Sequence, residues 1–158
     1  MKTPLALFAL FALPTIALAD ADPQRPDPIK TPGMVRTTDL AQICGTKTST
    51  VRNVTQADKD ATFAAYKLAQ RHDPSCTGPG NACYEIDHLI SLELGGDNTP
   101  KNRWPQPYDT PMNAHMKDKL ENELHRRVCL THQLTPTQAQ SMISTDWITT
   151  YRTIFGNQ

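Results

Sequence analysis

The sequence carries no surplus charge: across 158 residues, 16 Lys and Arg are matched by 16 Asp and Glu. A chain so balanced does not bind nucleic acid by bulk positive charge, so any polyanion has to be met by a local site. No apolar run approaches the roughly 20 residues needed to cross a bilayer, and no internal repeat is present. Cysteines number only four, and no two form a CxxC pair, so the usual structural zinc spacings are missing. The composition is not that of a long disordered chain or a membrane bundle either, with 38% hydrophobic and 20% charged residues. What is left is the material of one domain, large enough for a core and too small for two ordinary ones.

The N-terminus has a basic residue, Lys2, a short apolar run from Leu5 to Leu13, and small residues at Ala17-Leu18-Ala19. This pattern predicts a secretory signal over residues 1–19, and hence a protein exported to the periplasm or beyond with no stable membrane association. An oxidising compartment favours pairing the four cysteines in two disulfides. Cys76 and Cys83 flank the turn-rich Thr77-Gly-Pro-Gly-Asn-Ala82, which suits a short bridge and leaves Cys44 for Cys129. On the loop-entropy argument the long bridge contributes about 4.6 kcal/mol and the short one about 2.5 kcal/mol.

Pro23, Pro26, Pro28 and Pro32 make residues 20–33 an extended or disordered front end, with the domain proper over 34–158. Thr55 with Asp58 predicts a capped helix running to about His72. Tyr84–His88 reads as a strand, Gly95-Gly96 as a turn, and Asn102–Trp104 as a second strand that Pro105 and Pro107 end. Thr110 is the expected cap of a helix with Pro111 in its first position and an apolar face of Met112, Met116, Leu120, Leu124 and Val128. Thr135, Pro136 and Gln138 open a last helix that Gly156 stops. The expected class is α+β: a mostly helical single domain around a small hairpin–helix core.

Within that core, the run from Ile86-Asp87-His88 through Gly95-Gly96 to Asn102 resembles the core of the HNH, or ββα-metal, nucleases over about residues 84–121. The whole chain after the signal also resembles small secreted bacterial proteins that carry this block. The resemblance implies a nuclease acting on DNA, with RNA as a further substrate. His88 is then the general base, Asn102 the group that fixes the loop around it, and Asp87 a ligand of a divalent ion. Phosphodiester hydrolysis needs a base for the attacking water and a cation for the charge that develops on phosphate. Neutral imidazole on a rim and a nearby carboxylate suit those tasks.

The segment from Trp104 to Pro111 is longer and richer in Pro than the compact HNH hairpin, which leaves the further metal ligand open; it is expected at the start of the helix near Pro111, with Asn113 and His115 as the contenders. His115 is preferred, because the HNH pattern places an imidazole there. With Asp87 and His115 as ligands the ion would be Mg²⁺ or Mn²⁺, with Zn²⁺ or Ni²⁺ as tighter-binding alternatives. Lys101, Arg103 and Lys117 are the expected phosphate contacts, with Lys119, Arg126 and Arg127 as further candidates. Trp104 is assigned to closing the hairpin, and Glu93 and Asp97 to the surface. A second reading keeps the hairpin as architecture in a secreted, non-catalytic binding module.

Overall fold

The computed structural model describes residues 22–156; the expected signal segment, apart from this range, lies outside the described residues. Two short helices come first, α1 (Leu40–Gly45) and α2 (Thr48–Val51), neither of which the sequence pattern announced. Helix α3 (Gln56–Ala65) follows, then strands β1 (Tyr84–His88) and β2 (Arg103–Pro107), and the long helices α4 (Ala114–Cys129) and α5 (Pro136–Phe155). Among the described residues the chain is therefore α+β, about half helical, with one two-stranded antiparallel sheet.

Helix α3 opens on the reciprocal cap foreseen: Thr55 accepts from the Asp58 amide while the Asp58 carboxylate accepts from the Thr55 amide. It ends well short of His72, because the chain leaves the helix after Tyr66 and Lys67 takes a left-handed φ of 56°.

Strand β2 corrects the expectation that Pro105 and Pro107 terminate it. The register pairs Ile86 with Pro105 and Tyr84 with Pro107, while Asp87 faces Trp104 and Glu85 faces Gln106. The pairing continues past both strand ends, with the Leu89 amide donating to the Asn102 carbonyl and the Tyr108 amide to Cys83. Residues 102, 104, 106 and 108 thus occupy the positions that exchange hydrogen bonds with β1, and the prolines fall between them. A two-stranded sheet asks nothing of the nitrogens on β2's far side, so proline is tolerated there.

Helix α4 starts later than expected. Thr110 donates to the Met112 carbonyl, and the cap is Asn113, whose side chain accepts from the Met116 amide. Met112 precedes the helix but still joins its apolar stripe: Met112, Leu120, Leu124 and Val128 pack with Ile143, Trp147, Ile148 and Tyr151 of α5 and with Ile43, Ile90 and Leu94. Helix α5 opens on the Thr135–Gln138 box and stops at Gly156 as foreseen. It breaks at Asp146, whose carboxylate accepts from the Ile148 and Thr149 amides and so caps the second half.

The proline-rich front end, from residue 22, is neither extended throughout nor a loose tail: it folds into two turns, closed by the Arg25 amide on the Asp22 carbonyl and the Thr31 amide on the Asp27 carbonyl, and docks on the domain. The Trp147 indole donates to the Gln24 carbonyl, the Met112 amide donates to the Gln24 side chain, and Arg25 pairs with Asp146. Thr31 is buried and donates to the Arg103 carbonyl across the far side of β2. The two disulfides are Cys44–Cys129, which ties α1 to the end of α4, and Cys76–Cys83. Among the described residues no helix is long and apolar enough to cross a membrane.

Candidate functional site

Between β1 and β2 the chain makes a loop of tightly crossed backbone. Gly95 takes φ +86° after a single turn of 3₁₀ helix at Leu92–Leu94, and a Cβ on Gly96 would stand 1.8 Å from the Ile90 carbonyl oxygen. Only a glycine lets the loop cross itself so closely. Asn102, fully buried, locks the crossing. Its amide nitrogen donates to the carbonyls of Ile90 and Asp97, both at 2.9 Å, and its oxygen accepts from the amides of Ile90 and Met34. These bonds span the loop that begins at His88.

His88 ends β1 and is 2% exposed, so it is not the rim residue that the sequence suggested. Its Nε2 lies 3.2 Å from the Asn98 side-chain oxygen. The orientation of that amide is set, because the Asn98 nitrogen donates to the Val51 carbonyl at 2.8 Å and its oxygen also accepts from the Asn53 amide. Nε2 therefore carries the proton, and Nδ1 is left with its lone pair and, among the described residues, no hydrogen-bond partner. Burial is the main influence on the ring and pulls its pKa below the ordinary imidazole value, against the opposing Asp87 carboxylate. The ring is held in one tautomer, and burial favours its neutral form.

His88 lines a cleft of about 210 Å³ with Arg52, Asp87, Ser91, Glu93, Asp118 and Glu121. Arg52 follows α2 and is exposed, with no ion pair among the described residues. It also lines the neighbouring, larger groove of about 360 Å³, where Lys59 stands. Neither Arg52 nor Asn98 was singled out from the sequence. Asn98 had a weak signal, sitting just past the Gly-Gly turn; Arg52 had none, since only the folding of α2 over the loop brings it here. Glu93, expected on the surface, is half-buried in the cleft wall, and burial raises its pKa.

The expected phosphate contacts separate. Lys101 is exposed beside β2. Arg103 is a correction: its side chain is 2% exposed and its guanidinium pairs with Asp58 of α3. Lys117 is a second correction. It lies on the inner face of α4, fully buried, and donates to the Asp87 carboxylate at 2.6 Å, to the His88 carbonyl at 2.7 Å and to Glu121. Burial would pull its pKa down, but the Asp87 and Glu121 carboxylates outweigh burial and hold it above that of an ordinary lysine. Arg126 and Arg127 both pair with Glu123, and Lys119 sits over the Phe155 ring. Trp104 is buried in the hairpin, as its structural assignment requires.

A divalent ion on Asp87 and His115, which the resemblance implies, does not fit these donors. Asp87 spends Oδ2 on the Lys117 ammonium. His115 is exposed and packs against Tyr108, with ring centroids 5.0 Å apart and the planes tilted by 45°. Asn113 spends its side-chain oxygen on capping α4. Among the described residues, the one trio of His, Cys, Asp or Glu ligand atoms close enough to share an ion is Cys76, Cys83 and Asp109. Its two sulfurs are joined in a disulfide, over which Arg71 donates to Cys83 and to Asp109. Compared with family models, curated proteins and solved structures, the chain matches none.

Proposed function

We propose that this protein is an exported phosphodiester hydrolase of the HNH type, cutting DNA, with RNA as a second candidate substrate and His88 as its general base. One observation carries the reading: an imidazole held in one tautomer by Asn98, its Nδ1 without a hydrogen-bond partner among the described residues, on a residue that lines a polar cleft. In the reaction Nδ1 takes a proton from water, the water oxygen bonds to phosphorus, and the ester P–O bond breaks. The leaving oxygen takes its proton from solvent. Asn98 holds the ring, and Asn102 holds the loop that carries it. Arg52, without an ion pair among the described residues and shared by the cleft and the groove beside it, is the cation for the phosphate. The resemblance adds the Asp-His and Asn spacing, and the two disulfides with no free cysteine among the described residues support export.

The other reading, a secreted module without catalysis, also has an observation in its favour. Asp87, Glu93, Asp118 and Glu121 line the cleft against Arg52, so a phosphodiester meets more carboxylates than cations. Incubating the purified, disulfide-bonded protein with supercoiled plasmid and with single-stranded RNA separates the two. Nicked and linear products support the hydrolase. Intact substrate at every protein concentration would leave the binding module as the reading.

A further inference from the structure

We propose that Lys117 is a built-in cation of this site: its ammonium holds the place between Asp87, the His88 carbonyl and Glu121 that an ion bound to Asp87 would need. Asp87 is then no metal ligand, and the hairpin is tied to α4 by an amine where a divalent ion would otherwise tie it. The consequence for catalysis, activity independent of divalent ions, rests on the hydrolase reading; the consequence for binding does not.

Three observations carry this. An ammonium has three donors and no acceptor, and here all three are used, on two carboxylates and one carbonyl. Those are the hard oxygen ligands that Mg²⁺, Mn²⁺ or Ca²⁺ select, gathered around nitrogen. The ammonium is also in place by construction. Lys117 and Glu121 are four residues apart on α4 and share a face, and the lysine is fully buried where that face meets the end of β1. Finally, the imidazole that would complete an ion site points elsewhere. His115 lies two residues before Lys117, about 200° around the helix, and rests on Tyr108. A divalent ion and the Lys117 ammonium cannot occupy one nest of oxygens together. Lys117 acts through its neighbours, fixing the Asp87 carboxylate and the backbone of His88, and so is a positioning residue.

The test is calorimetric titration of Mn²⁺ and Mg²⁺ into the disulfide-bonded protein, alongside Asp87→Asn and Lys117→Ala. The expected result is no stoichiometric site in the wild type that Asp87→Asn removes. Lys117→Ala should gain a Mn²⁺ site, since it empties the nest and leaves two carboxylates facing each other. If that variant folds only with Mn²⁺ present, followed by circular dichroism, the same conclusion stands. One ion bound by the wild type and lost in Asp87→Asn, with folding verified by circular dichroism, would overturn the proposal; Asn keeps an oxygen acceptor for Lys117 while removing the charge. In the cleavage assay, activity should survive EDTA, whereas a fall of about 10²-fold or more would overturn the proposal and keep the hydrolase. Absence of cleavage in both conditions would sink the hydrolase reading alone, with the titrations still deciding the role of Lys117.

Discussion

His88 shows how far a single residue's chemistry follows from its surroundings. The Asp87-His88 pair and the Asn fourteen positions on are visible in the sequence, but the tautomer is not, because it depends on Asn98 and on the Val51 carbonyl that orients Asn98. Burial holds the ring's pKa below the ordinary 6.5, so the basic form persists at mildly acid pH. The acid limb of the kcat/KM profile should therefore fall below that value; a limb above it would mean the ring is stabilised as imidazolium. Glu85, on the same strand, titrates in the opposite sense. Burial first, and then the Asp87 carboxylate, push its pKa up to about 7, although the Tyr108 hydroxyl donates to it at 2.6 Å. A folded-state carboxyl pKa above the unfolded 4.5 means that folding favours the protonated acid, so this stability is full at low pH and is lost as pH rises toward 7. Glu85→Gln should accordingly match the wild type in urea unfolding near about pH 4 and exceed it by on the order of 2 kcal/mol near about pH 8. Equal stability at both pH values would show that Glu85 is not held protonated.

At the scale of elements, the sequence was most legible where local chemistry decides. The Thr55 and Thr135 caps, the β1 strand and the apolar stripe of α4 stand where their patterns put them. It was least legible where a distant partner decides. Proline reads as a strand breaker, yet Pro105 and Pro107 fit β2 because the register places their nitrogens away from β1. Thr110-Pro111 reads as a helix start, yet Asn113 takes the cap. Lys117 and Arg103 read as free cations, and only the packing of α4 on β1 and of α3 beside β2 buries them. The Gly-Gly turn was visible, but not the reason for its second glycine, which is the Ile90 carbonyl lying where a Cβ would stand. Gly96→Ala should lower stability by about 1–3 kcal/mol or more, since backbone has to shift to admit a methyl group. Thermal unfolding checks this, and an unchanged midpoint would mean the loop is free to relax.

For the molecule as a whole, the cysteine pairing and the α+β class were readable, whereas the docking of residues 22–33 was not, because its bonds go to Trp147, Met112 and Arg103, far along the chain. The bridge between Cys44 and Cys129 closes 85 positions of chain and joins α1 to the core helices. Replacing both cysteines by serine should cost about 4–5 kcal/mol in chemical unfolding, and replacing Cys76 with Cys83 about half as much. Intact mass before and after alkylation should find no free thiol. The proposed hydrolase function rests on His88 acting as a base from within this frame, and single-turnover cleavage of supercoiled plasmid by wild type and His88→Gln tests that most directly. Glutamine keeps an amide donor for Asn98 and offers no base, so with folding verified by the melting curve the rate should fall by about 10²- to 10⁴-fold. Cleavage at the wild-type rate by His88→Gln would contradict it.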